Sequence, residues 1–157
     1  MPEQGVRGAS SYVSARLCLT LPLPPSINEQ YATVNGHRVL TRVARRFKEA
    51  VMEVVKGLKL EGKLNDQCLS RLQSGYLAIY LRFYFGSPLK RDLDGPLKIC
   101  IDALVTDALG INDNRVVDIH LSKYIDPLRE RVDVEVESLL DWQFDEDYVV
   151  LPARTTN

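Results

Sequence analysis

Residues 75–110 read GYLAIYLRFYFGSPLKRDLDGPLKICIDALVTDALG, a pattern that predicts a strand followed by a helix at the centre of the domain. Gly75–Phe85 is rich in aromatic and aliphatic residues, which predicts a long strand that ends at the turn sequence Gly86-Ser87-Pro88. Pro96 is typical of a first helical turn, so a helix is predicted from residue 95 or 96 to residue 109, where a glycine follows. A strand and a helix joined by a short charged segment therefore form the predicted centre of the domain.

Further strands and one more helix are predicted around this centre. In chain order they are a strand at Arg16–Leu21, a hairpin at Tyr31–Leu40, a helix from Thr41 to about Lys59, and strands at Arg115–Ile125 and Arg131–Glu137. The hairpin prediction rests on Asn35-Gly36, a strong signal for a tight turn between β-favouring residues. The helix prediction rests on apolar residues at helical spacing, which are Val43, Phe47, Val51, Val54, Val55 and Leu58. The order predicts an α+β fold, a single domain in which a mixed β-sheet has two main helices packed on it.

The composition is that of one globular domain with polar ends. A length of 157 residues, with 45% hydrophobic and 26% charged residues, fits a single domain. The predicted boundaries are a flexible N-terminal arm at 1–11, the folded domain at 12–137, and an acidic and polar C-terminal extension at 138–157.

Cysteine usage and hydropathy predict the compartment. Cys18, Cys68 and Cys100 are widely spaced and contain no CxxC pair, so buried free thiols in a reducing cytosol are predicted rather than a zinc site. The N-terminus lacks the basic and then apolar pattern of a signal peptide, and the longest apolar run, Tyr76–Phe85, is too short to span a bilayer. A cytoplasmic protein without membrane contact is therefore predicted.

Charge is distributed unevenly along the chain, although the net charge is only −1. Residues 1–100 contain fifteen Lys and Arg against eight Asp and Glu, whereas residues 101–157 contain five against thirteen, so the two parts carry +7 and −8. Such asymmetry is typical of a basic binding face with an acidic tail, and it also arises from ordinary variation along a solvated surface. The basic side of the first long helix fits both interpretations; it carries Arg42, Arg45, Arg46, Lys48 and Lys56.

Two aspartates stand directly before the second long helix, in the sequence Lys90-Arg91-Asp92-Leu93-Asp94. Pro96 restricts the residue before it, so both aspartates are predicted in extended backbone, where they point the same way and Leu93 points into the core. Acids that converge beside positive charge suit Mg²⁺-dependent chemistry on a phosphodiester. The alternative is that Asp94 only caps the helix, which explains one aspartate but not the second.

Three further residues extend this candidate site. Lys98 and Asp102 lie four and eight residues beyond Asp94, on one flank of the predicted helix. Lys98 can hold a scissile phosphate, or it can pair with the neighbouring acids at the surface. Asp113 lies in the turn after the helix, and it joins the site only if the following strand runs back toward the start of the helix.

Three blocks of the chain together resemble the RusA family of Holliday-junction resolvases, which are crossover junction endodeoxyribonucleases. The blocks are LPLPPSINEQY at Leu21–Tyr31, RDLDGPLK at Arg91–Lys98 followed by IDAL at Ile101–Leu104, and INDNRVVDIHLSK at Ile111–Lys123. The resemblance implies a RusA-like α+β fold. It also implies a homodimer that binds four-way branched DNA and cuts it with Mg²⁺, or with Mn²⁺ as a substitute, without an organic cofactor.

The resemblance assigns roles to residues by position. Asp92, Asp94 and Asp113 match the family's metal-binding catalytic acids, Lys98 matches its active-site lysine, and Asp102 falls at another acidic position of second rank. The residues expected to line the DNA side are Asn28, Arg38, Arg42, Arg45, Arg46, Lys90 and Arg91. The implied function is resolution of Holliday junctions by paired symmetric strand cleavage in DNA recombination and repair.

The chain departs from the family pattern at three places. Gly95-Pro96 stands where the family often has Asn, Asn112 stands where an acid often precedes the catalytic one, and Glu29-Gln30 replaces residues that are often basic. On the residues alone, two other functions stay open. One is a non-catalytic junction-binding or DNA-binding protein with a degenerate resolvase fold, and the other is a metal-dependent hydrolase of smaller phosphate esters.

Overall fold

A computed structural model describes residues 15–89 and 91–144 of the chain. The helices are α1 (Ile27–Gln30), α2 (Arg42–Leu60), α3 (Asp66–Ser74) and α4 (Asp94–Ile101), and α4 continues directly into a π-helical segment over Asp102–Ala108. The strands are β1 (Arg16–Leu21), β2 (Tyr31–Val34), β3 (His37–Leu40), β4 (Tyr76–Phe85), β5 (Val116–Ile125) and β6 (Arg131–Leu139). A short 3₁₀ turn, Asp113–Arg115, precedes β5.

Four of the strands form one mixed sheet in the order β1-β6-β4-β5. β6 pairs antiparallel with both β1 and β4, whereas β4 and β5 pair in parallel, so α4 and the π-helical segment form the crossover between them. β2 and β3 form a separate hairpin whose turn residues Asn35 and Gly36 have φ of 50° and 78°, as the Asn-Gly dipeptide predicts. The predicted α+β fold, with helices packed on a mixed sheet, is confirmed.

The core lies between one face of the sheet and the helices. Alternate residues of β4 from Leu77 to Phe85 are buried, and they align with three buried valines of β6, namely Val132, Val134 and Val136. α2 adds Phe47, Val51 and Val55 at helical spacing. Each large apolar side chain that is fully buried contributes about 1.5–3 kcal/mol to stability, so this layer is the rigid support for the loops at both ends of the crossover.

Two predictions about the helices need correction. The sequence-based prediction omits α3, although Asn65 accepts a hydrogen bond from the amide of Cys68 at 2.8 Å, as an N-cap residue does. Val43 is predicted to face the core, but it is 54% exposed. The reason is its place in the first turn of α2, where it borders a surface groove along residues 22–25.

The cysteines differ from the predicted set of buried thiols. Cys100 in α4 is buried, and burial raises the pKa of its thiol to about 12. Cys68 is half-buried, which also raises its pKa. Cys18 is exposed because it alternates with the buried Leu17 and Leu19 along β1. Only Cys100 therefore fits the prediction fully.

The last strand is slightly longer than predicted. β6 ends at Leu139, two residues later than predicted. The chain then places Phe144 against Tyr76, with ring centroids 5.3 Å apart. The predicted N-terminal arm, 1–11, and most of the predicted C-terminal extension lie outside the described residues. Among the residues that are described, no helix is long and apolar enough to cross a membrane.

Candidate active site

A cavity of about 220 Å³ lies along one face of α4. Its lining residues are Asp94, Leu97, Lys98, Ile101, Asp102 and Asp113. Asp94, Lys98 and Asp102 follow one another at intervals of four residues, so they lie on the same side of the helix, as predicted. Asp113 reaches the cavity from outside the helix. Three acids and one lysine therefore border a single cavity at the surface.

Asp113 reaches this cavity because the chain reverses direction after the π-helical segment. Gly110 has φ of 66°, a left-handed conformation that favours glycine and ends the helix. β5 then runs parallel to β4, and therefore back along α4 toward its start, which is the condition that the sequence set for Asp113. A second cavity of about 420 Å³ adjoins the first, and both Asp102 and Asp113 border it.

Asp92 is not among the residues that line either cavity. Its side chain is exposed, and the backbone of Leu93 is helical, with φ −78° and ψ −33°, so the prediction of extended backbone through both aspartates is wrong. The reason is Gly95, which lacks a Cβ and so escapes part of the clash that Pro96 imposes on the residue before it. Helical backbone turns residues two apart in different directions, which separates Asp92 from Asp94. Leu93 packs against the core, as predicted.

Asp94 is not the helix cap that the alternative interpretation required. Leu93 occupies the N-cap position and makes no side-chain capping hydrogen bond, while Asp94 is the first helical residue. A carboxylate in the first turn is stabilised by the helix dipole. The Asp94 side chain is exposed at the cavity, where it can bind a ligand.

Lys98 forms an ion pair with Asp102, in which Nζ donates to Oδ2 at 2.9 Å. This hydrogen bond, together with the charge of Asp102, raises the pKa of Lys98, and Tyr31 and Asp113 act in the same direction. The lysine side chain is 70% exposed. Its ammonium is therefore charged and accessible at the rim of the cavity.

The donor atoms around the cavity suit a hard divalent cation, since the three acids offer carboxylate oxygens. Within residues 15–89 and 91–144, no three His, Cys, Asp or Glu side chains lie close enough together to hold one ion. Of the predicted metal ligands, the structure brings Asp94 and Asp113 to the cavity and leaves Asp92 outside it. Asp102, predicted at second rank, borders both cavities, whereas Asp92 borders neither.

The predicted DNA-side residues are distributed over α1, the hairpin and α2. Those that are exposed are Asn28, Arg38, Arg42, Arg45 and Arg46. The guanidinium of Arg38 lies over the Tyr31 ring, 4.1 Å from its centroid. Arg46 also borders the groove of about 410 Å³ along residues 22–25. Lys90 lies outside the described residues.

Arg91 is bound to the protein itself, and a lysine that the sequence analysis missed holds the same segment. The Arg91 guanidinium donates to the carbonyl of Pro24 and lies 5.4 Å from the Phe85 ring centroid. Lys123 Nζ donates to the carbonyl of Arg91 at 2.8 Å and to that of Pro88 at 3.1 Å. Along β5, Lys123 lies on the same side of the strand as apolar residues. A lysine on the apolar side of a strand is the feature of the sequence that could have indicated these hydrogen bonds.

Comparison with known proteins agrees with this fold. The family model described as Endodeoxyribonuclease RusA matches residues 22–137, which is well over half of the chain and includes every residue that lines the two cavities. A protein of Enterobacteria phage 82, named crossover junction endodeoxyribonuclease rusA, is 27% identical over 105 residues, which are 67% of this chain and 80% of the phage protein. This chain therefore belongs to the RusA family of endodeoxyribonucleases.

Proposed function

We propose that the protein is a Mg²⁺-dependent, structure-selective endonuclease that resolves Holliday junctions by paired symmetric cleavage in DNA recombination and repair. The observation that carries the proposal is the cavity along α4, where Asp94 and Asp113 meet Lys98 in a chain of the RusA family. The name of the phage relative supports a crossover junction as the substrate.

Asp94 and Asp113 are the residues that would hold Mg²⁺, or Mn²⁺ in its place. A third carboxylate would come from Asp92, by the family pattern, or from Asp102, which already borders the cavity. The ion, when bound, supplies an activated water and offsets negative charge on the scissile phosphate. In the absence of cations, these carboxylates repel DNA, so ion binding and DNA docking are expected to support each other.

Lys98 acts on the phosphate directly. Its ammonium is exposed at the rim of the cavity, and the hydrogen bond to Asp102 raises its pKa, which favours the charged form. A preorganised positive charge stabilises the negative charge that develops on phosphoryl oxygens during cleavage. Asp102 contributes by holding the ammonium in one direction.

The arms of the junction are bound by exposed basic residues. Arg42 and Arg45 on α2 and Arg38 on β3 are exposed and can neutralise phosphates, so junction binding is expected to weaken steeply with salt. Asn28, which is also predicted on the DNA side, lies on α1, close to these arginines in the sequence. A two-fold homodimer would present two cavities to the two strands that are cut, which explains symmetric cleavage economically.

The test is cleavage of a synthetic four-way junction with Mg²⁺ by wild type and by Asp94→Asn. The wild type is expected to make paired nicks. The variant is expected to cut at least about a hundredfold more slowly, because one charged ligand is lost. Junction binding is retained or tightened, since the variant removes a negative charge. The matched control is Asp107→Asn on the same crossover, because Asp107 pairs with Lys48 and lines neither cavity.

A second candidate is a non-catalytic junction-binding protein, which the position of Asp92 outside the cavity favours. It predicts that the wild type binds four-way junctions and leaves them intact with both Mg²⁺ and Mn²⁺. It also predicts that Asp94→Asn binds like the wild type. Binding of intact junctions by the wild type with both ions would reject the endonuclease proposal, as would activity on mononucleotide esters without activity on branched DNA.

A further inference from the structure

Gln30, the last residue of α1, is a buried polar residue whose contacts the proposed function does not use. Its side chain is 2% exposed. Within the described part of the chain, Ser138 is the one other polar residue that is buried. A polar side chain is costly to bury unless its hydrogen bonds are made. The partners of Gln30 therefore show what it holds together.

The side-chain amide of Gln30 joins two segments that are distant in sequence. Nε2 donates to the carbonyl of Gly95 at 2.9 Å and to the carbonyl of Pro25 at 3.1 Å, so both hydrogens of the amide are used. The backbone carbonyl of Gln30 accepts a hydrogen bond from the amide of Thr41 at 3.0 Å. One residue thus connects the proline segment and the start of α2 to the first turn of α4.

The Gly95 carbonyl is one residue away from Asp94. It belongs to the first turn of α4, where the N-cap residue Leu93 makes no side-chain hydrogen bond to the helix. Glycine has more backbone freedom than any other residue, and Pro96 removes only part of that freedom at Gly95, so an outside hydrogen bond helps to fix this turn. Gln30 supplies such a contact from α1.

We propose that Gln30 is a positioning residue for the cavity along α4. By holding the Gly95 carbonyl, it sets the direction in which Asp94 meets Lys98 and Asp113. The inference rests on the proposed function, because the direction of Asp94 affects cleavage only if Asp94 takes part in it. Displacement of a reacting group by about 1 Å can lower a rate by about a hundredfold, so a contact of this kind affects catalysis strongly.

The variant that tests the proposal is Gln30→Met, which keeps the length of the side chain and removes both donors. The matched control is Ser138→Ala, which removes the other buried polar side chain. Ser138 Oγ donates to the carbonyl of Arg71 in α3 at 3.1 Å, and Ser138 lines neither cavity. Gln30→Met loses two hydrogen bonds to backbone carbonyls and Ser138→Ala loses one, and only Gln30→Met loses a bond beside Asp94.

Gln30→Met is expected to lower the single-turnover rate of junction cleavage by about tenfold to a hundredfold and to raise the Mg²⁺ concentration for half-maximal cleavage. Calorimetric titration of Mg²⁺ into the DNA-free protein provides a readout independent of cleavage, and the affinity is expected to fall. Junction binding in EDTA is expected to stay within about twofold of wild type, because the substitution keeps the backbone hydrogen bond between Gln30 and Thr41 and changes no charge on α2. Ser138→Ala is expected to leave cleavage and ion affinity within about twofold at temperatures well below its Tm.

The proposal is overturned if the wild type cuts junctions and Gln30→Met cuts them at the same rate with the same Mg²⁺ dependence. Equal losses in Gln30→Met and Ser138→Ala would also overturn it, since they would indicate a general effect of stability. If Gln30→Met does not fold, Gln30→Asn is measured with the same expectations, because its shorter side chain cannot reach both carbonyls. A wild type that cuts no junction rejects the proposed function instead, and the Mg²⁺ titration then still decides whether Gln30 shapes the cavity.

Discussion

The two halves of the crossover between β4 and β5 are held in different ways. The first half, α4, presents Asp94 and Lys98 to a cavity, and its first turn is fixed by a side chain from α1. The second half, the π-helical segment, packs into the core through Ala103, Leu104 and Val105. The first half also buries Ile99 and Cys100, and the second half also carries the partly accessible Asp102 and Asp107, so the two halves differ in degree. The second half is called the anchored half because three consecutive residues of it are buried, and the first half is called the accessible half because it carries the exposed Asp94 and Lys98. Substitutions in the second half are therefore expected to lower mainly the free energy of unfolding, and substitutions in the first half to lower mainly the rate of cleavage.

The largest expected effect is on stability and comes from the anchored half. Leu104 is 2% exposed, so Leu104→Ala is expected to lower the free energy of unfolding by about 2–5 kcal/mol through lost burial and a residual cavity. Urea unfolding measures this change. The control is Leu128→Ala, which is expected to stay within about 0.5 kcal/mol because Leu128 is 98% exposed. Equal losses in the two variants would contradict the anchoring role.

The next effect is on catalysis and comes from the accessible half. Lys98→Met is expected to slow junction cleavage by about a hundredfold, or about 2.7 kcal/mol, because it removes a preorganised positive charge. Its free energy of unfolding is expected to change by less than about 1 kcal/mol, since the pair with Asp102 is at the surface. Lys63→Met is the matched control, because Lys63 forms a similar surface pair with Glu61 elsewhere. A rate equal to that of the control would remove Lys98 from the site.

A smaller effect is expected where the anchored half meets α2. Lys48 Nζ lies 3.0 Å from Asp107 Oδ2, and both side chains are partly exposed. Asp107→Asn is expected to cost about 0.2–1 kcal/mol of stability and to cost less at high salt, because solvent and ions screen the pair. A double-mutant cycle with Lys48→Met isolates the interaction. Slower cleavage in Asp107→Asn, at unchanged stability, would break the division between the two halves.

The smallest expected effect concerns pH. The pKa of Lys98 is raised above its usual 10.5, mainly by the hydrogen bond to Asp102. A raised pKa in the folded state gives stability that is complete below pH 10.5 and is lost as pH rises through the raised pKa. The gain is at most about 0.3–0.5 kcal/mol, because the pair is exposed and spaced i,i+4. The measurement is the difference in unfolding free energy between wild type and Asp102→Asn at pH 8 and pH 11; an unchanged difference would contradict it.

The sheet and long helices could be predicted because their signals are local and repeated. β4 was predicted from its run of aromatic and aliphatic residues. Alternation along β6 and helical spacing along α2 depend on the burial of one face. Strand order could not be predicted, because it depends on pairing between residues far apart in sequence, such as Leu81 with Val134. α3 was missed because it is short and buries little, with Leu72 as its fully buried residue.

The site could be predicted only as a set of residues, not as an arrangement. Spacing placed Asp94, Lys98 and Asp102 on one helix face, and the structure confirms that placement. The position of Asp92 depends on the backbone at Leu93, where the competing effects of Gly95 and Pro96 decide between helical and extended geometry. Gln30 could not be recognised at all, since its partner Gly95 is sixty-five residues away in sequence.

The π-helical segment affects how the protein tolerates the insertion or deletion of residues between α4 and β5. In an α-helix each residue advances the side-chain direction by about 100°, and a π-helical stretch takes more residues for the same turn. The seven residues Asp102–Ala108 thus set the rotation of the Asp94 and Lys98 side of α4 relative to the turn that carries Asp113. Substitutions in this stretch alter packing, but the deletion of one residue would rotate the charged face away from Asp113. The number of residues in the segment, more than their identity, is what aligns the two halves.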